Sequence, residues 1–156
     1  MRLILVRHGR AGRRDQWHGP DKLRPLDPRG RRQAERLVGV IAPLRPTRIV
    51  SSPYRRCLET VGPLSAHVGL DVERTPALAP DAPVVALSLI RELSAPPARS
   101  GVVLCTHGEV MGTVLSEMAT EDGVELERRP PGLKGSVWLL DLRHGKLVDA
   151  RYVPPR

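Results

Sequence analysis

Phenylalanine is missing from the 156-residue chain, and two Trp and two Tyr are its only aromatics. Trp17, Tyr54, Trp138 and Tyr152 are too few for a base-stacking platform of the single-strand nucleic-acid type. Cysteine is nearly as scarce. Cys57 and Cys105 offer neither a disulfide framework nor a paired-cysteine zinc site, and both are expected as reduced, half-buried thiols. No apolar run approaches the ~18 residues of a membrane span; the longest stretches, Leu37–Leu44 and Val84–Ile90, are short. Leu3–Val6 runs straight into Arg7 and His8, too short and too polar behind for a signal peptide, so the expected compartment is the cytoplasm, with no membrane partner. Lysine is rare too: Lys22, Lys134 and Lys146 are the only ones among 25 basic residues, against 17 acidic residues and a net charge of +8. An arginine-heavy surplus with abundant Ala, Pro and Gly follows from a GC-rich coding sequence alone. Read functionally, it is a surface that attracts phosphate or nucleic acid by summed field.

What is present is an ordinary globular composition, 40% hydrophobic and 27% charged, in a length that suits one domain over residues 1–156 and buries roughly 68–70% of the unfolded surface. Arg2–Arg7 reads as a buried strand, and His8–Leu26 as a polar, Gly-rich loop of the kind that carries function. Asp27 and Pro28 then stand as N-cap and first turn of a helix with Ala34, Leu37, Val38 and Ile41 on one face, ending at Pro43. Thr47–Ser51 is a second strand, and a helix from Pro53 to Gly69 is expected to kink or break at Gly62-Pro63. Leu70–Glu73, a Pro-rich loop, a helix over Val84–Leu93, a strand over Gly101–Thr106 and a helix to about Ala119 follow. Ser136–Leu142 and Lys146–Val153 close the chain as a hairpin. This alternation predicts an α/β fold: a three-layer α/β/α arrangement with a mainly parallel central sheet and an antiparallel pair at its end.

Ligands of such sheets sit beyond the carboxyl ends of the strands. Three of those ends carry chemistry: Arg7-His8-Gly9, Ser51-Ser52-Pro53-Tyr54-Arg55-Arg56, and Thr106-His107-Gly108-Glu109. Guanidinium forks match phosphate oxygens, and an imidazole near neutrality is a nucleophile toward phosphorus. A second Arg-His-Gly, at Arg143–Gly145, sits between two strands and reads as a hairpin turn. Other phosphate chemistries fail on spacing. A cysteine phosphatase needs Arg six positions after Cys, where this chain has Pro63 and Met111, and neither G-x-x-x-x-G-K-[ST] nor H-E-x-x-H occurs.

Leu5-Val6-Arg7-His8-Gly9, Ser51-Ser52-Pro53 through Arg56 and Thr60, and Thr106-His107-Gly108 together resemble the three ordered motifs of the histidine phosphatase superfamily, with its phosphoglycerate-mutase-like fold. The resemblance covers most of the chain. The segment Asp21–Leu26, followed by Gly30, Gln33 and Ala34, is similar to the small SixA-type phosphohistidine phosphatases. It implies that His8 is the nucleophile that becomes phosphohistidine, with Arg7, Arg56 and His107 holding phosphoryl oxygens, Gly9, Gly108 and Arg24 at the substrate, and neither metal nor cofactor required. On physical grounds His8 should attack as neutral imidazole with its other ring nitrogen donating to a backbone carbonyl, while His107 should act as imidazolium. The implied partner is a phosphorylated substrate, either a phosphohistidine protein or a small metabolite.

The chain departs from the family at the general acid, where Asp81 and Glu109 are rival candidates. A weak acid disfavours alkyl phosphate esters and mutase chemistry, and matters less for phosphohistidine or other activated donors. A pseudoenzyme that only binds phosphorylated partners, or an anion- or nucleic-acid-binding module using the Arg-rich surface, are the alternative classes. The Arg29, Arg32 and Arg36 stripe reads as an exposed helix face, Arg31 and Glu35 as an i,i+4 pair, and Arg55 as a solvated neighbour of Arg56. Trp17 and His18 are placed at the mouth of the site or, for Trp17, in the core.

Overall fold

The computed structural model describes residues 1–81, 83–95 and 100–155. The first strand, β1 (Arg2–Arg7), alternates its side chains across the sheet, as the two-residue period requires. Leu3 and Leu5 enter one core with Val50, Ile90, Leu104, Met111 and Trp138; Ile4 and Val6 enter a second with Leu37, Ile41, Ile49, Val61 and Val103. A strand apolar on both faces must be covered on both, and this is what sets three layers.

Helices α1 (Pro28–Ile41) and α2 (Arg55–Val68) cover the second core. Helices α3 (Pro83–Ser94) and α4 (Gly108–Asp122) cover the first. The strands between them are β2 (Arg48–Ser51), β3 (Val72–Arg74) and β4 (Val102–Thr106), and the chain ends in the hairpin β5 (Val137–Arg143) and β6 (Lys146–Val153). The sheet order is β3-β2-β4-β1-β5-β6. The first four strands in that order are parallel, and the hairpin adds two antiparallel strands on the β1 side. The expected fold class stands. No helix among the described residues is long and apolar enough to cross a membrane.

Local chemistry explains the boundaries. Asp27 Oδ1 accepts the Gly30 N–H at 2.8 Å and Pro28 opens α1, while Gly69 and Gly123 end α2 and α4 in the left-handed conformation. His144 and Gly145 both have positive φ (52° and 77°) between the paired residues Arg143 and Lys146. That is the two-residue turn a twisted hairpin favours, and His144 is exposed far along the chain from the chemistry.

Three expectations need correction. The Gly62-Pro63 step does not break α2, because Cys57, Val61 and Leu64 bury one continuous face that carries the helix past the lost N–H. Arg31 does not pair with Glu35; its guanidinium donates to the Leu26 carbonyl at 3.1 Å, tying α1 to the preceding loop. Cys57 and Cys105 are free thiols, but fully buried rather than half-buried.

Candidate active site

Parallel pairing puts the carboxyl ends of β1, β4 and β2 on one edge of the sheet. Arg7 pairs with Thr106 in the β1–β4 ladder, so His8 and His107 follow one residue beyond on adjacent strands. Their rings meet edge to face with centroids 5.2 Å apart. Ser51 pairs with Cys105, which delivers Ser52 and the start of α2 to the same place. The structure thus brings together Arg7, His8, Arg56 and His107 from three segments far apart in sequence.

His8 is buried, and its Nδ1 lies 2.8 Å from the Gly9 carbonyl oxygen. A carbonyl only accepts, so Nδ1 carries the proton and Nε2 keeps its lone pair, as the sequence argument required. Burial lowers its pKa to about 3 against the Gly9 hydrogen bond, with the charges of Arg56, Arg7 and Lys134 lowering it further. The ring is therefore neutral at physiological pH. Gly9 N–H donates to Thr60 Oγ1 at 2.9 Å, and Thr60 Oγ1 donates to the Arg56 carbonyl at 2.6 Å, so one hydroxyl fixes the His8 loop to the first turns of α2. A Cβ on Gly9 would stand 3.0 Å from the Gly30 carbonyl oxygen, so the loop lies tight against the start of α1.

Arg56, 2% exposed, donates through Nη1 to the Asp21 carbonyl (3.0 Å) and through Nη2 to Asp21 Oδ2 (3.1 Å). Its Nη2 also lies 3.4 Å from His107 Nδ1, and Tyr54 stacks under the guanidinium at 4.9 Å. Arg7 donates to the Gly132 carbonyl. The Nε–H groups of both arginines are buried with no protein partner. Buried unpartnered donors are rare in a native fold and mark both arginines as unusual. Gly108 is the glycine that makes room for Arg7: a Cβ there would stand 2.7 Å from Arg7 Nη2.

His107 is held in one tautomer in the free site. Its Nε2 lies 2.9 Å from Ser52 Oγ, and its Nδ1 faces Arg56 Nη2, a donor, so the ring fits a neutral Nε2–H form. Burial lowers its pKa to about 3, helped by His8 and Arg56 and opposed by Asp21. In the free site burial therefore keeps the ring uncharged, with the charges of Arg56 and Arg24 adding to it.

Arg24 is buried, with Nε 3.0 Å from Asp21 Oδ1 and Nη1 2.7 Å from the Gly12 carbonyl. Trp17 is half-buried outside the cores, its Nε1 on the Pro20 carbonyl at 2.9 Å, and His18 is exposed. Arg29, Arg32 and Arg36 are exposed, and Arg55 is an exposed partner of Glu59 at 3.1 Å, as expected. Asp81 is exposed in the turn before α3 with no hydrogen bond or ion pair among the described residues. Glu109 is exposed in the first turn of α4, and its charge supports that of Arg7, which burial opposes. Neither carboxylate is hydrogen-bonded to the His8 group. Among the described residues no three His, Cys, Asp or Glu side chains are grouped to hold a metal ion.

Residues that sequence reasoning did not assign complete the site. Asp21 is the anchor of both Arg56 and Arg24, and only its place three residues before Arg24 hinted at this. Although partial burial pushes its carboxyl up, the Arg24 hydrogen bond and the charges of Arg56, Arg24 and Arg14 hold it below the ordinary range. Ser52 orients His107. The loop before β5 closes over the end of β1, Gly135 N–H donating to the Arg7 and His8 carbonyls at 3.2 and 3.0 Å, and it carries Lys134 into the field of Arg7, Arg24, Arg10 and Arg56. No local pattern announces either the loop or its lysine.

Comparison with known proteins agrees with this geometry. Residues 3–79 match the family model described as histidine phosphatase superfamily, branch 1. The 8-oxo-(d)GTP phosphatase of Mycolicibacterium smegmatis is 34% identical over 157 residues, an alignment that takes in 98% of this chain and 48% of that protein. The chain therefore spans about half the length of that curated relative. Among solved structures, the putative phosphohistidine phosphatase SixA from Agrobacterium tumefaciens superposes with a TM-score of 0.77 at 27% identity, covering 99% of this chain and 98% of that one. The protein histidine phosphatase SixA complexed with tungstate shares the fold, with a TM-score of 0.82 at 19% identity, covering 99% and 97%. With its motifs gathered on one edge of the sheet and its relatives matching along the whole chain, this protein belongs to the histidine phosphatase superfamily.

Proposed function

We propose that the protein is a phosphatase that passes the phosphoryl group first to His8 Nε2 and then to water. The observation that carries this reading is the His8 Nδ1–Gly9 carbonyl hydrogen bond, which leaves Nε2 an unprotonated nucleophile between two arginines. Arg7 and Arg56, whose charges already act on the His8 ring, would take the phosphoryl oxygens. His107 would join as a donor once a dianion in the pocket raises its pKa. Each such donor supplies about 2.7–4 kcal/mol of transition-state stabilisation by analogy with oxyanion-hole deletions.

The reading also bears on which donors are cleaved. With Asp21 held ionised by arginines and neither Asp81 nor Glu109 hydrogen-bonded to the His8 group, no carboxyl group among the described residues is held in place to protonate a poor leaving group. Donors whose leaving group departs unaided fit best. The relatives named for phosphohistidine and for 8-oxo-(d)GTP are both of this kind.

The test is a rapid quench of the protein mixed with p-nitrophenyl phosphate. The expected result is a burst of acid-labile, base-stable phosphoprotein, absent in His8→Ala, and turnover that EDTA leaves unchanged. Full turnover by His8→Ala would overturn the reading.

A further inference from the structure

A cavity opens beside Arg7, and a second adjoins it. One, of about 360 Å³, is walled by Arg7, Arg10, Arg29 and Lys134 and reaches Gln33 and Pro155. The other, of about 250 Å³, shares Gln33 and Pro155 and continues as an apolar groove over Leu37, Val40, Val137 and Val153. Among the described residues no acidic side chain lines either cavity. Arg10 is balanced by Asp27 at 3.0 Å, whereas Arg29 and Lys134 carry no ion pair among the described residues. Burial and then the surrounding charges of Arg7, Arg24, Arg10 and Arg56 hold the Lys134 pKa below its ordinary value. Cations gathered without a counter-charge repel one another, and an anion between them removes that cost. The phosphoryl group on His8 is already served by Arg7 and Arg56, so the shelf formed by Arg29, Lys134 and Arg10 has a charge to spare.

We propose that this shelf is a second anion subsite, taking the leaving phosphate of a phosphoanhydride, so that the substrate is an organic diphosphate or longer polyphosphate whose organic group runs into the apolar groove. The assignment rests on the reading of His8 as phosphoryl acceptor and adds to it the class of leaving group. The lone pair of His8 Nε2 forms a bond to the terminal phosphorus while the bond from that phosphorus to the bridging oxygen breaks. The electron pair stays on the bridging oxygen, which leaves as the terminal oxygen of the shortened phosphate. Water then attacks the phosphohistidine, the P–N bond returns its pair to Nε2, and inorganic phosphate departs with the water oxygen while the water's proton passes to solvent. A phosphate monoester has a second pKa of about 6, so the leaving oxygen needs no donor at neutral pH. This agrees with a pocket in which, among the described residues, no carboxyl group is hydrogen-bonded to the His8 group. The cations of the shelf stabilise the charge that develops on the leaving phosphate, the part a general acid plays for an alcohol.

Comparing kcat/KM for a nucleoside diphosphate, a phosphohistidine protein and p-nitrophenyl phosphate decides the matter. The intact protein is expected to favour the diphosphate over both others by about tenfold or more, releasing nucleoside monophosphate and phosphate in equal amounts. Lys134→Ala and Arg29→Ala are each expected to lower the diphosphate-to-nitrophenyl ratio by about tenfold, chiefly through KM, while Lys134→Arg keeps it. A wild-type protein without that preference, one that favours the phosphohistidine protein, or variants in which the ratio stays put would each overturn the shelf. In all three cases turnover of p-nitrophenyl phosphate through phospho-His8 would leave the phosphatase reading standing. Loss of the phosphoenzyme itself would remove both.

Discussion

Arg56 and Asp21 hold each other at two points, Nη1 on the Asp21 carbonyl and Nη2 on its carboxylate, 35 residues apart in sequence. The pairing joins the first turn of α2 to the loop after His8. The guanidinium is almost fully buried while the carboxylate is about a third exposed, so water partly replaces the acid if it is lost but cannot reach the base. Asp21→Ala is expected to let Arg56 and Arg24 drift, lowering kcat/KM by about 10- to 100-fold and stability by about 1–3 kcal/mol. Asp21→Asn, which keeps the shape and the backbone contact, should retain more of both. Steady-state kinetics with urea denaturation checks this, and an Asp21→Ala enzyme with wild-type kinetics would contradict it.

Gly108 separates activity from stability. A Cβ there meets the end of the Arg7 side chain rather than backbone, so the fold can yield by moving the guanidinium. Gly108→Ala should melt within a few degrees of the parent yet lose about 10²-fold or more in kcat, since Arg7 would be displaced from the phosphoryl position proposed for it. A thermal melt beside a kcat measurement tests the split; equal loss of both would mean that helix α4 itself is displaced.

Adjacent arginines give a matched pair of variants. Arg55 is solvent-exposed in an i,i+4 pair with Glu59, while Arg56 faces inward to the site. Arg55→Ala is expected to change kcat/KM by less than threefold and stability by about 0.3–0.5 kcal/mol. Arg56→Ala should raise KM and lower kcat together, by 10²-fold or more in kcat. Comparable kinetics in the two variants would argue against the pocket.

How much of this was legible in the chain follows from the range of each interaction. Strand β1, the Asp27-Pro28 start of α1 and the His144-Gly145 turn are set by neighbours in sequence, and all three read directly. The meeting of His8 with His107 was also legible, because parallel strands bring their carboxyl ends to one edge whatever the register. The partners of those residues were not. Asp21 clamping Arg56, Ser52 holding His107 and Lys134 reaching over β1 depend on how loops return across the sheet, and no periodicity encodes that path. The neutral form of His107 in the free site was not legible for a related reason: burial is a property of the packed site, invisible in the residue itself.

Two buried neutral imidazoles at the centre of the site make stability depend on acid. Both His8 and His107 fall from an ordinary 6.5 to about 3 on folding, first by burial and then by neighbouring positive charge. Between those values the unfolded chain binds more protons than the folded one, so unfolding free energy rises with pH across that window and falls as pH drops through it. The loss begins near pH 6.5 and is complete near pH 3, amounting to up to about 5 kcal/mol per ring. Urea titrations at pH 7, 5.5 and 4 should therefore show a falling midpoint. The His107→Asn variant, with one titrating ring fewer, should show a shallower fall, and phosphate, which favours protonated His107, should flatten it in the parent protein. A midpoint unchanged down to pH 4 would mean that both rings keep access to water and that His8 is protonated in the acid range, which would also move the acid limb of kcat/KM from near pH 3 up to about 6.5.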